Sequence, residues 1–242
     1  MRMLVIVIAL LVERFFNVSH FRTWHWFTSY QRLLLNRLSS HRTYLFLILS
    51  VVPILLAVFA MTWLLQPLLL GLLALLFVVL LSLYCLGPLQ LWAHVDNDHG
   101  AFFIAANRRV FASVFWFMLL GLGGIVGYRL ITLLAGEQGE QTIDVEGSQI
   151  AQKIESYLNW PVIRLLTFVF ALGGNFNRVF TCWRKQALSG VTENNALLAS
   201  CGQAALSHAE TTVSETVTQK AMMALVDRSL IIFLVIMIIV SP

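Results

Sequence analysis

Three apolar runs, Tyr44 to Leu65, Leu68 to Leu86 and Val110 to Ala135, restrict what this chain can fold into more than any other feature. Each is close to the ~20 residues that a helix needs to cross the hydrocarbon of a bilayer. They are continuous rather than alternating, so they read as helices, which satisfy their own backbone hydrogen bonds in lipid. Composition agrees, with 59% of the 242 residues hydrophobic and 12% charged, against roughly 25% charged in an ordinary soluble domain. The expected fold is all-α: a multi-pass helical membrane protein with about four full spans plus short or re-entrant helices. It forms a single membrane domain over residues 1–242.

Charge places the loops. The formal net charge is +4, with 16 Lys and Arg spread along the chain rather than gathered in one block, so nucleic acid is not an expected partner and the lipid bilayer is. Residues 17–43 mix Arg22, Arg32, Arg37 and Arg42 with Trp24, Trp26, Phe27, Tyr30, Leu34 and Leu38, a composition suited to the headgroup region. By the positive-inside rule that segment is expected to be interfacial and cytoplasmic, and 174–220 a cytoplasmic helical segment. Before it, residues 3 to 16 read as a short, retained membrane-inserted helix ending in Glu13-Arg14, because no small-residue cleavage site follows.

Further along, Gln66-Pro67 predicts a tight hairpin between the first two long runs. Gly121 to Gly127 predicts a broken or re-entrant third run, with Gly123 and Gly127 as a small-xxx-small pair for close helix packing. Residues 136 to 159 predict an acidic loop leading into an amphipathic helix. Trp160 to Gly173 is expected to be a short tilted span or half-helix. Residues 174 to 228 read as two short helices with a possible capping box at Thr212 to Glu215, and the chain closes on a span over Ser229 to Val240 that begins near Ala221. Cys85, Cys182 and Cys201 follow no disulfide or zinc spacing and read as packing residues.

Few residues carry chemistry. No P-loop, G-x-S-x-G or H-E-x-x-H pattern is present, the glycine-rich stretch lacks the strand context of a dinucleotide fingerprint, and no catalytic residue or cofactor is predicted. Glu13, Arg14, Tyr128, Arg129 and Arg164 lie in or beside apolar segments, where an isolated ion costs roughly 2.5 to 3.5 kcal/mol on the mildest scale. They are read either as buried ion pairs and snorkelling ends or as a cleft for an anionic small molecule bearing phosphate or carboxylate. Asp96 and Asp98 form a weak hard-cation motif or an ordinary polar loop.

Four stretches together resemble one family: the N-terminal run ending in Glu13-Arg14; Ala106 to Ala112 leading into Phe115 to Gly121; Gly127 to Leu130; and Asn159-Trp160-Pro161-Val162-Ile163-Arg164-Leu165. The pattern is similar to AmpE, an inner-membrane family usually encoded beside the AmpD amidase in Gram-negative bacteria, and more remotely to the CbiB/CobD enzymes of cobalamin synthesis. The AmpE resemblance implies a bacterial inner-membrane protein that modulates β-lactamase induction and cell-wall recycling, without established enzymatic activity, acting through a membrane or cytoplasmic protein partner. The CbiB resemblance implies an ATP-dependent enzyme forming an amide between a corrinoid carboxylate and an amino alcohol. The acidic positions of the enzyme pattern are here reduced to Glu13-Arg14 and replaced by Ala106-Asn107-Arg108-Arg109, which places the regulatory reading first and the enzymatic reading second.

Overall fold

The computed structural model describes residues 2–15, 24–37, 43–66, 72–86, 99–136, 145–186, 190–206 and 215–240, and every regular element among them is helical. In order these are α1 (Arg2–Phe15), α2 (His25–Arg37), α3 (Thr43–Leu65), α4 (Leu72–Cys85), α5 (His99–Ala106), a π-helical turn (Asn107–Phe111), α6 (Ala112–Leu120), α7 (Leu122–Leu134), α8 (Val145–Gly173), α9 (Phe176–Gln186), a 3-10 turn (Val191–Glu193), α10 (Asn194–Leu206) and α11 (Glu215–Val240). Among the described residues, four continuous helical stretches are long and apolar enough to cross a membrane: Thr43–Leu65, His99–Leu120, Glu146–Gly173 and Gln219–Val240. The chain is an all-α, multi-pass membrane protein.

Two of those spans have other bounds than the expected ones. The run Val110 to Ala135 is broken, as its glycines predict, and the break falls at Gly121, which adopts φ 70° and ψ −147°, a conformation that side-chain-bearing residues avoid. The helix before the break instead extends back to His99 through the π turn, in which the Ala112 N–H reaches the Asn107 carbonyl, five residues back. Residues 145 to 173 likewise form one helix of 29 residues, so Trp160 to Gly173 is the second half of a full span and not a separate short segment. Pro161 sits inside it. Proline removes one backbone donor, but no glycine precedes Gly173 after Gly147, and the apolar face continues through Val162, Ile163, Leu166 and Val169, all fully buried. The described part of the second apolar run is α4, of 14 residues, rising about 21 Å.

The chain divides into two compact units, one of residues 1–88 with 116–155 and one of 89–115 with 156–242. In the first, α1 packs on α4, while α3 packs on α2, α4 and α7. Most of α3 is exposed and apolar, including Ile48, Leu56, Phe59 and Trp63, as suits a lipid-facing helix; only Phe46, Leu47 and Ser50 are buried. Spacing favoured Gly123 and Gly127 for close packing, whereas the tight position is Gly124: a Cβ there would stand 2.1 Å from the Trp116 carbonyl oxygen, one at Gly127 would touch Leu55 at an ordinary 3.9 Å, and one at Gly123 would meet nothing within 4 Å.

In the second unit, α10 packs on α5, α9 and α11. Its centre is aromatic: Phe103 and Phe111 meet Phe170 edge-on at 5.3 and 6.5 Å, and Phe111 meets Phe233 at 5.4 Å. Such pairs are worth about 0.5–1.5 kcal/mol each beyond their buried area. Gly202 lets α10 lie flush on this cluster, since a Cβ there would fall 2.4 Å from the Phe103 ring. The expected two short helices after Gly173 are α9 and α10, while Thr212 to Ser214 of the capping box lie outside the described residues.

Candidate functional site

Polar residues inside apolar helices mark the places where the fold spends stability on something other than burial. In the first unit the centre is Arg129 on α7, 5% exposed, whose guanidinium carbon lies 6.0 Å from the centroid of the Trp24 ring. Trp24 stacks obliquely on Tyr84 of α4 at 4.6 Å, and the Trp26 indole N–H donates to the Tyr84 hydroxyl at 3.0 Å. Tyr30 donates to the Leu49 carbonyl at 2.8 Å, which fixes α2 on α3. The aromatic and basic mixture of residues 24 to 37 thus supplies a ring-lined setting for a cation, an attraction worth about 0.5–2 kcal/mol. Glu13 and Tyr128 belong to the same unit and are buried, at 7% and 2% exposed.

Arg164 belongs to the second unit, on α8. Its guanidinium lies over the Trp160 ring, 4.7 Å from the centroid and one helical turn away, and Nη1 donates to the side-chain oxygen of Asn194. Asn194, 3% exposed at the start of α10, in turn donates through Nδ2 to the Ser156 carbonyl at 2.8 Å. One amide therefore contacts α8 at two positions just over two turns apart. Close by in sequence, Asn159 accepts from Nδ2 of Asn107 at 3.3 Å, and both residues are buried. The π turn that carries Asn107 holds Arg108 and Arg109 half-buried beside it. Turns of this kind concentrate at functional positions, because the extra residue re-aims its neighbours.

This amide network has little signal in the sequence, because an uncharged amide stands out from an apolar run less than an ionisable side chain does. Asn107, Asn159 and Trp160 were nevertheless all within the stretches that carry the family resemblance, and the Asn107–Asn159 bond joins two of those stretches. Asn194 had no sequence signal: its partners lie 30 and 38 residues away.

The remaining positions are quickly placed. Asp96, Asp98 and the side chain of Arg14 lie outside the described residues. Among the described residues no group of three or more His, Cys, Asp and Glu gathers in a way that could hold a metal ion. Cys201 on α10 donates to the Cys182 sulfur of α9 at 3.1 Å, and Cys182 to the Ser200 hydroxyl at 3.4 Å. Burial pushes the Cys201 thiol well above its ordinary range, and the hydrogen bond to Cys182 pushes the same way. Such a thiol packs and does not act as a nucleophile.

With this geometry in view, the chain proves similar to two proteins named cobalamin biosynthesis protein CobD. That of Stutzerimonas stutzeri is 35% identical over 98 residues, 40% of this chain and 32% of its own length. That of Chromobacterium violaceum is 32% identical over 100 residues, 40% of this chain and 31% of its own. The chain spans about a third of the length of these curated relatives. No protein-family model and no solved structure matches it.

Proposed function

We propose that this protein is a modulator of the AmpE type in the bacterial inner membrane, built on a scaffold related to CobD, which senses an anionic small molecule at the Arg164 cluster. The observation that carries the reading is the fixed orientation of the Arg164 guanidinium inside a span, seated on Trp160 and hydrogen-bonded to Asn194. A guanidinium so placed presents a planar fork suited to carboxylate or phosphate, and its orientation is already paid for before a ligand arrives. The contacts described around Arg164 come from an amide and an indole, groups that recognise and position. The link to β-lactamase induction and cell-wall recycling comes from the AmpE resemblance of the Asn107 and Asn159 stretches.

The test is genetic with a biochemical control. In a Gram-negative host with inducible β-lactamase, deletion of the gene should change the induction profile, the parent should restore it, and Arg164→Gln, inserted in the membrane at the parent's level, should not. An induction profile that deletion leaves unaltered would remove this reading.

The similarity to CobD favours a second reading, in which the scaffold retains ATP-dependent amide formation on a corrinoid carboxylate. Purified protein incubated with ATP, Mg²⁺, a corrinoid acid and an amino alcohol should then yield the amide together with ADP and phosphate, or AMP and pyrophosphate. On the modulator reading, no product forms and calorimetry detects no Mg²⁺-dependent nucleotide binding.

A further inference from the structure

The helix that follows the third span carries more exposed aromatic surface than its contacts with the protein account for. α9 begins at Phe176, with two residues between it and the end of α8 at Gly173. Three residue steps reach at most about 11 Å, so the start of α9 stays close to the level at which the span leaves the hydrocarbon. Asn175 turns the chain there: its side-chain oxygen accepts from the Arg178 N–H at 3.4 Å and its carbonyl from Val179 at 3.1 Å.

Around α9 the side chains divide into three strips. Val179, fully buried, and Cys182, whose sulfur accepts a hydrogen bond from the Cys201 thiol, face α10. Beside them runs an aromatic strip in which Phe176 and Phe180 stack at 5.5 Å and 7°, and Phe180 and Trp183 at 6.0 Å and 21°. Phe176 is 45% exposed and Phe180 37%. The third strip is polar, with Arg178, Thr181, Arg184 and Lys185 all exposed, and α9 contains no acidic residue.

We propose that α9 is an in-plane membrane anchor, with Phe176, Phe180 and Trp183 entering the boundary between acyl chains and headgroups while Arg178, Arg184 and Lys185 engage anionic phospholipid headgroups. Continuity with a span and charge complementarity select this occupant. A protein partner would need its own acidic, apolar surface, whereas the leaflet that α8 has just left offers both features at the right level. Each cation near such a surface contributes about 1 kcal/mol, and that term weakens with salt. By tying α9 to the membrane surface, the anchor would also hold α10, and with it Asn194, at a fixed depth.

The full chain, reconstituted in nanodiscs of phosphatidylcholine alone or mixed with phosphatidylglycerol, tests this directly. A nitroxide at position 180 (Phe180→Cys) should be relaxed more by oxygen than by a water-soluble nickel chelate, one at position 181 (Thr181→Cys) the reverse, and the contrast should grow with phosphatidylglycerol. Arg178→Gln with Arg184→Gln and Lys185→Gln should abolish that growth. Because these labels require a background without native cysteines, a second measurement uses the native ones: benzoylphenylalanine in place of Phe180 should photocrosslink to lipid. A nickel-accessible label at 180 in both lipid mixtures, or crosslinks to a second copy or to another protein in place of lipid, would overturn the proposal.

Discussion

The side chain of Asn194 accepts the Arg164 guanidinium while donating to the Ser156 carbonyl, so a single amide on α10 ties down both a cation and a backbone group of α8. Asn194→Ala removes an acceptor and a donor together and should cost about 1–3 kcal/mol. Asn194→Asp keeps the acceptor for Arg164 but loses the donor to Ser156, and should recover part of that loss. Thermal unfolding of the purified protein in detergent measures both; an alanine variant as stable as the parent would show that the contact carries no weight.

The Asn107–Asn159 bond crosses between two buried positions, 1% and 5% exposed. Asn107→Leu and Asn159→Leu should each destabilise, and the double variant should cost less than the sum of the two. Hydrogen bonds between membrane helices average about 0.6 kcal/mol in such cycles, so a coupling of that order is expected. Strict additivity would count against a direct bond.

Three neighbouring glycines should respond very differently to alanine. Gly123→Ala should be neutral and Gly127→Ala close to it, whereas Gly124→Ala forces a methyl onto the Trp116 carbonyl at 2.1 Å, where the backbone cannot yield cheaply. Overpacking of this kind costs about 1–3 kcal/mol or more. Yield of folded protein across the three variants gives the order, and a Gly124→Ala protein expressed like the parent would contradict it.

Cys201 makes stability depend on alkaline pH. Its thiol titrates above the ordinary 9.0 because burial disfavours the thiolate, so the unfolded chain releases the proton first as pH rises. The stabilisation is complete below about pH 9 and declines above it. Cys201→Ala should flatten that decline, and in the parent Cys201 should resist alkylation in the native state until the protein unfolds. Fast labelling of Cys201 in folded protein would be inconsistent with this placement.

What the sequence disclosed follows from how far each signal reaches along the chain. Thr43–Leu65 is legible because twenty-odd apolar residues admit one interpretation in lipid, and the short helices α9 and α10 are legible from their change in polarity. The continuity of α8 was not legible: the sequence changes from amphipathic to apolar at Trp160, whereas the helix runs on through Pro161 with Val162, Ile163 and Leu166 buried. Spacing found the glycine-rich break but not which glycine mattered, since a small-xxx-small pattern records separation and not which face meets the neighbour. The Arg164 site was half visible. An arginine in an apolar run announces itself, but the amide that positions it belongs to a different helix and to an ordinary polar sequence.

Gly121 reaches further than the shape of one bend. Because it closes one helix and opens another, the apolar run around it supplies the end of one crossing and then the 13-residue α7, whose rise of about 20 Å falls short of the ~30 Å hydrocarbon. The last turn of α7 hands its Ala135 carbonyl to the Gln152 side chain at 3.2 Å, a partner supplied by the protein. Adding or removing one crossing exchanges the two aqueous compartments for every loop downstream. A break at Gly121 thus separates a helix long enough to cross from one that is too short to do so alone.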